Sequence, residues 1–170
     1  VYKRQGMNQQ DFGPSFSVVV TTVDGAWTVR SYADDFDDID TSITQVRNLR
    51  SESAAFAMLC IDDDYFVLVR PTPGGVRLLL SDATMAVDDD FAASVLDRLD
   101  IDVPDIDVDE LDEIEGWADG DFDILADLGV SEQMLEVMAD NLDESPSDQL
   151  VRIAEELGFD EEFLDVTGLD

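Results

Sequence analysis

The chain has 170 residues, of which 42 are acidic and 9 basic, so its formal net charge at pH 7 is −33. An apolar fraction of 45% is typical of a folded protein of one domain, with or without an appended subdomain, whereas the charge repels phosphate and argues against direct binding of DNA or RNA. Histidine is absent and Cys60 is the only cysteine, which excludes an internal disulfide, histidine-dependent catalysis and histidine-ligated zinc.

The negative charge is concentrated in the second half of the chain. Residues 1–85 carry 12 acidic and 7 basic side chains, a net charge of −5, whereas residues 86–170 carry 30 acidic and 2 basic side chains, a net charge of −28. A general adaptation to salt or for solubility is one explanation, but it should mark both halves. The asymmetry favours a more specific role, and both explanations stay open at this point.

Residues 1–14 are expected to be a leader outside the fold. Residues 1–5, VYKRQ, match the in-frame translation of a common sequencing-library adapter end, which predicts an assembly scar with Met7 as the candidate start. No signal peptide is evident, and the longest apolar run, residues 54–61, is far shorter than the ~20 residues that span a bilayer. These features predict a cytoplasmic protein without a membrane segment.

Residues 15–99 are predicted to form a small α+β domain that begins with a β-hairpin and a helix. Segments 16–22 and 26–31 are rich in β-branched and aromatic residues, and the Asp24-Gly25 step between them is a strong hairpin signal. Asp37 or Asp38 can cap the helix that follows. Its apolar residues at helical spacing are Ile39, Ile43, Val46 and Leu49.

Three more strands and a closing helix complete the predicted domain. Residues 54–61 and 65–70 form a second strand pair, and the Pro/Gly-rich turn at residues 71–75 leads into a strand over residues 76–80. Asp88 is the predicted cap of the last helix. The element order is therefore ββαβββα, an antiparallel sheet with two helices.

Residues 100–120 are predicted to be an acidic linker. Acidic and aliphatic side chains alternate at its start, which also permits an edge strand, but Pro104 and charge repulsion favour an extended chain. Trp117 lies in this segment. It is either partly buried or an exposed anchor for a partner protein.

Residues 121–170 are predicted to form a helical subdomain with an internal repeat. Residues 124–137 align with residues 153–166 at an offset of 29, with six of fourteen positions identical. In each copy a helix ends just before a glycine, Gly129 or Gly158, which we expect at positive φ.

Polar residues mark where the helices of this subdomain begin. Ser131 and Asp160 are predicted caps in the two copies of the repeat, and Ser145-Pro146 is a favourable start for the helix between them. Helices this short are marginal alone and must pack on another part of the protein.

The motifs of catalysis and of cofactor or metal binding are not recognisable. Asp119, Asp121 and Asp123 are spaced like the start of a calcium loop, but an EF-hand needs glycine where Ile124 stands and glutamate where Val130 stands. No phosphate-binding glycine loop is present, and nothing among the carboxylates marks out a catalytic pair. We therefore predict no catalytic residue, no cofactor and no metal site.

Two arginines are candidates for contact with a partner. Arg70 and Arg77 flank the turn at residues 71–75 and should lie close together across the hairpin. They either neutralise nearby acids or form a contact patch. Together with Trp117, they are the predicted partner contacts.

The stretch from Tyr65 to Thr84 is the most distinctive part of the sequence. Its motifs are Val69-Arg70-Pro71, Gly75-x-Arg77 and Leu78-Leu79-Leu80-Ser81-Asp82-Ala83. With residues 86–99 and the Leu-Gly helical tail, this stretch resembles the actinobacterial tRNA adenosine deaminase-associated protein family, over about residues 15–165.

The resemblance implies association with the enzyme that makes inosine in tRNA anticodons, and implies no activity or site residue of its own. The chain lacks the His-x-Glu and Pro-Cys-x-x-Cys motifs that hold zinc in such deaminases. The leading hypothesis is a non-catalytic protein-interaction factor that modulates the deaminase. The alternatives are an acidic mimic of nucleic acid that occupies a basic groove and an enzyme of unrecognised type.

Overall fold

The computed structural model describes residues 15–32, 38–48, 55–114, 116–140 and 144–168. Its strands are β1 (Phe16–Val23), β2 (Ala26–Ser31), β3 (Ala55–Ile61), β4 (Tyr65–Thr72), β5 (Gly75–Leu80) and β6 (Asp119–Gly120). Its α-helices are α1 (Asp40–Asn48), α2 (Asp90–Arg98), α3 (Glu132–Asp140), α4 (Pro146–Leu157) and α5 (Asp160–Thr167). Short 3-10 turns lie at Ala83–Val87, Val108–Glu113 and Ala126–Leu128.

The strands form one antiparallel sheet in the order β2-β1-β3-β4-β5-β6. The predicted α+β class is confirmed, and the predicted order ββαβββα is found from β1 to α2. The sixth strand was not predicted. Its two residues pair with Leu79 and Leu80 of β5, so the chain returns to the sheet before the C-terminal helices begin.

Two tight turns set the register within two strand pairs, β1 with β2 and β3 with β4. Asp24 and Gly25 have φ of 53° and 82°, and Asp62 and Asp63 have φ of 54° and 55°. Positive φ at both central residues is the condition for the type I′ turn, whose twist matches that of paired strands. The Asp-Gly prediction is confirmed, and an Asp-Asp turn of the same kind joins β3 to β4.

Helices cover both faces of the sheet. Phe56, Met58 and Phe66 point to the face on which α3–α5 pack, whereas Leu59 and Val67 point to the face on which α1 and α2 pack. A strand buried on both faces needs apolar residues at successive positions, which explains the unbroken apolar runs in β3 and β4.

The α1 and α2 layer is capped by aspartates, one of them displaced from its predicted position. Asp38 Oδ1 accepts from the Asp40 amide at 2.9 Å. The N-cap of α2 is Asp89, which accepts from the Phe91 amide at 2.9 Å, so the prediction of Asp88 is wrong. The Asp89 carboxylate also accepts from the buried Tyr65 hydroxyl at 2.9 Å, and this second hydrogen bond favours Asp89 over Asp88 as the N-cap. Asp37 and Leu49 lie outside the described residues.

The C-terminal helices share a hydrophobic core with the strands. Phe159 packs on Trp27 of β2, with ring centroids 5.0 Å apart, and Phe163 packs edge-on against Phe16 of β1 at 5.6 Å. The sheet therefore supplies the surface that these short helices need. Trp27 is half-buried by this contact.

The repeat glycines adopt the predicted conformation, with φ of 131° at Gly129 and 100° at Gly158. The residue after each glycine donates back across it: Val130 to Leu125 O at 3.3 Å, and Phe159 to Ala154 O at 3.0 Å. In the first copy, however, the element before the glycine is only a 3-10 turn.

Two of the three predicted caps in this layer are confirmed. Ser131 Oγ accepts from the Met134 amide at 3.1 Å, and Ser145 Oγ accepts from the Asp148 amide at 3.2 Å. The prediction for Asp160 is wrong. Asp160 is the first residue of α5 instead, and its N-cap, Phe159, is held by burial in the core.

None of the helices in the described residues is long and apolar enough to cross a membrane.

Candidate partner-binding surface

The two predicted contact arginines face each other across the β4–β5 hairpin. Arg70 and Arg77 are directly opposite in the antiparallel register, because the β4–β5 ladder continues without interruption to Thr72 and Gly75 and leaves a turn of two residues, Pro73 and Gly74. Both side chains extend over the segment that follows β6. They line an open groove of about 490 Å³ together with Pro71, Thr72, Pro73, Asp123, Ala126 and Asp127.

Arg70 is largely used within the protein. Its guanidinium donates to Ile124 O at 2.8 Å and makes a two-point contact with the Asp127 carboxylate, and only 16% of the side chain is exposed. The hydrogen bonds from Arg70 hold the pKa of Asp127 below its usual range. Arg70 thus ties the segment around residues 124–127 to the sheet.

Arg77 is more accessible. Its side chain is 46% exposed, and its Nη1 lies 3.8 Å from Asp123 Oδ2. At that separation and exposure the ion pair is weak. Arg77 is therefore able to exchange Asp123 for an acidic group of another molecule at small cost.

The three aspartates with calcium-loop spacing have separate roles. Asp119 Oδ1 accepts from the Gly120 amide at 2.9 Å, Asp121 Oδ2 accepts from the Leu78 amide at 3.1 Å, and Asp123 faces Arg77. Asp121 and Asp123 thus hold the segment that follows β6 against β5. Across the described part of the chain, no three His, Cys, Asp or Glu side chains converge as metal ligands would.

Trp117 lies next to Ala83, past the C-terminal end of β5, whereas Arg77 lies near the N-terminal end of that strand. Its carbonyl accepts from the Ala83 amide at 2.7 Å, whereas its side chain is 41% exposed. The neighbouring Gly116 is packed so closely on Asp82 that an added Cβ would lie 2.3 Å from a carboxylate oxygen. The backbone at Trp117 is therefore held in place while the indole stays accessible. The three predicted contact residues lie at two separate sites, Arg70 and Arg77 at one and Trp117 at the other.

A cluster of aspartates at the β3–β4 turn organises the C-terminal layer. Asp63 Oδ1 accepts from the Ser147 amide at 2.8 Å, so a sheet turn caps the first turn of α4. Burial, reinforced by Asp62, Asp63 and Asp89, raises the pKa of Asp64. Sequence reasoning missed this cap, because only the tertiary fold brings residues 63 and 147 together.

Two ionisable groups inside the core are kept neutral. Burial raises the pKa of the Cys60 thiol to about 12, with a further contribution from Asp63. Burial also raises the pKa of Tyr65, which lies beside Asp89. The thiol is protonated at neutral pH and lacks the thiolate character of a reactive cysteine.

Comparison with known proteins identifies the family. The chain matches the Rv3753c-like tRNA adenosine deaminase-associated protein family over residues 15–160. It belongs to this family. It is also 41% identical over 150 residues to Protein Rv3753c of Mycobacterium tuberculosis (strain ATCC 25618 / H37Rv), covering 88% of this chain and 85% of that protein. No solved structure matches the chain.

The name of the tRNA adenosine deaminase-associated family describes association with the deaminase. The resemblance found in residues 65–84 is thereby confirmed for most of the chain. The match begins at the first described residue, Ser15, and ends at Asp160, the first residue of α5, so it covers the sheet, the α1 and α2 layer, and the C-terminal layer as far as α4.

Proposed function

We propose that this protein binds its own organism's tRNA adenosine deaminase directly and modulates it without catalysing a reaction itself. The acidic second half would lie against the basic, tRNA-facing surface of the enzyme or an edge next to that surface. The observation that carries the proposal is the net charge of −28 over residues 86–170 in a member of a family named for association with this enzyme.

The physical argument starts from the partner. An enzyme that handles tRNA needs positive potential to hold the phosphate backbone. A polyanionic protein is attracted to such a surface over long distances, which raises its association rate at low ionic strength. The proposal places the protein in the cytoplasm, with the enzyme and its tRNA substrate.

Charge alone gives little selectivity, so apolar or hydrogen-bonding contacts must supply the rest. Trp117 and the exposed Arg77 are candidates for those contacts. Arg70 would contribute indirectly, because it holds the groove that Arg77 borders.

Calorimetry with the purified full-length protein and the deaminase tests the proposal. We expect a dissociation constant near or below ~1 μM at low salt, equivalent to about 8 kcal/mol, which weakens as salt is raised. Polyglutamate of similar charge is the control for unspecific attraction. No binding at ~10 μM protein in low salt contradicts the partner, and binding that is indifferent to salt contradicts the electrostatic mechanism.

The same charge supports a second candidate function, mimicry of nucleic acid in a basic groove. A mimic and tRNA must exclude each other, whereas a modulator that binds next to the tRNA site need not compete. Repeating the titration with the deaminase saturated by tRNA separates the two. Complete loss of binding is expected both of mimicry and of a modulator on the tRNA-facing surface itself, whereas retained binding excludes mimicry and favours a modulator on the edge next to that surface.

A further inference from the structure

We propose that residues 101–117, which we call the acidic arm, form the surface that docks on the deaminase. This inference rests on the function proposed above and locates it within the molecule. The arm would place apolar side chains in hollows of the enzyme surface while its carboxylates face the basic groups around them.

The acidic arm is attached to the rest of the protein at both ends. The Ile101 amide donates to Leu96 O at 2.9 Å, and the Trp117 carbonyl accepts from the Ala83 amide at 2.7 Å. Between these points, Leu111 and Ile114 are half-buried and line one hollow together with Met85. Attachment at both ends limits the conformations that the arm can adopt, which reduces the conformational entropy that it loses on binding.

Apolar side chains on the arm point to solvent. Val103, Val108 and Trp117 are 43%, 53% and 41% exposed, and they are three of the four exposed large hydrophobic residues in the described part of the chain. The fourth, Val137, lies on α3 and is 70% exposed. Exposed apolar groups gathered in one short segment are the anchors that protein interfaces use.

The charge of the arm selects the partner. Eight of its seventeen residues are acidic and none is basic. A second copy of the protein would bring two such arms together, and nucleic acid or an anionic lipid surface would also be repelled. A basic protein surface with apolar hollows is complementary to the arm in both respects, and a tRNA-binding enzyme carries such positive potential.

The other acidic surfaces of the molecule lack this combination. The carboxylates of α3–α5 surround a single exposed large apolar side chain among the described residues, Val137. The β4–β5 hairpin already uses Arg70 to hold residues 124–127. The arm is therefore the place where charge and exposed apolar area coincide.

Paired variants of the full-length protein test the apolar part by calorimetry with the deaminase. Val108→Ser and Trp117→Ala are each expected to weaken binding by roughly tenfold or more, as truncation of a buried anchor does. Val137→Ser is the matched control, because it removes a more exposed apolar side chain outside the arm, and it should change binding less than about twofold. Equal melting temperatures of all variants exclude a loss of folding.

A second pair of variants tests the charges of the arm. Each variant loses three carboxylate charges, so the two variants have the same net charge. Asp102→Asn/Asp105→Asn/Asp109→Asn should weaken low-salt binding several-fold more than Glu136→Gln/Glu156→Gln/Asp165→Asn, and should flatten the salt dependence more. If the unmodified protein binds but arm and control variants behave alike, the arm is overturned and the proposed function stands. If the unmodified protein does not bind the deaminase, both are overturned.

Discussion

Individual aspartates in this protein have opposite effects on its stability, although all of them add to the same negative charge. Asp127 is stabilised in its ionised form by Arg70, whereas Asp64 is destabilised in its ionised form by burial and by neighbouring aspartates. The sign depends on the surroundings of each carboxyl: Asp127 is hydrogen-bonded by an arginine, whereas Asp64 is partly buried beside other aspartates.

Replacing these two aspartates by asparagine should change stability in opposite directions. A carboxyl whose pKa is lowered by folding stabilises the protein above its unfolded pKa, and this contribution is lost as the pH falls through the folded value. Asp127→Asn should therefore destabilise the protein at pH 7, by about 1 kcal/mol or less because Asp127 is exposed.

Asp64→Asn should stabilise the protein at pH 7, since the raised pKa means that folding disfavours the charged form. The Asp64 difference should disappear below the unfolded carboxyl pKa of about 3.9, where Asp64 is protonated in both states. The Asp127 difference should persist to lower pH, because it is lost only as the pH falls through the lowered pKa of folded Asp127. Urea unfolding of the two variants and the unmodified protein at pH 7 and at acid pH measures this. Changes of the same sign at pH 7 would show that the assigned environments are wrong.

At the scale of the element, the two Leu-Gly steps end one segment and start the next. The glycine amide and the amide after it bond back to the preceding turn, which requires a backbone at positive φ. The same requirement in both copies explains why the fourteen-residue pattern repeats. The element before the glycine differs, since a 3-10 turn precedes Gly129 and α4 precedes Gly158.

Alanine at Gly158 should destabilise the protein by more than ~1 kcal/mol, because an L side chain is strained at that backbone conformation even where space is free. Gly129→Ala should do the same, with an added contact to Leu157 at 3.5 Å. Gly74→Ala is the control, since that position has open space and no positive φ. Thermal or urea unfolding gives the comparison, and a neutral Gly158→Ala would refute the cap.

At the scale of the whole molecule, one sheet holds two helical layers together while its surface carries a large excess of like charge. The C-terminal layer supplies Phe159, Phe163 and Ile153 to the core that covers β1, β3 and β4. A chain cut before residue 121 would expose that face of the sheet, so point variants test function more cleanly than truncation.

Moderate salt is expected to raise the melting temperature of the protein. The carboxylates repel one another more strongly in the folded state than in the expanded unfolded chain, and added ions screen this repulsion. Thermal unfolding between low and physiological salt checks it. The response should be smaller at pH 4, where part of the charge is neutralised; a flat or falling melting temperature at pH 7 would show that the acids are already compensated.

Features that depend on a few consecutive residues were determined by the sequence itself. The Asp24-Gly25 turn, the serine caps at Ser131 and Ser145, and the positive φ at the repeat glycines all appear as predicted. Each follows from local sterics or from a hydrogen bond within about three residues, so the rest of the fold has little influence. The candidate contacts Arg70 and Arg77 were paired correctly for the same reason, because a hairpin register is local.

Tertiary structure decided what depends on distant neighbours. Asp89 replaces Asp88 as a cap because Tyr65 reaches it from β4, and Asp63 caps α4 across 84 residues of sequence. Strand β6 exists because β5 offers an open edge to two residues of an otherwise irregular segment. Whether Val103, Val108 and Trp117 are exposed depends equally on what packs around them, since a largely irregular segment has no helical or strand periodicity that would show which of its apolar residues are covered.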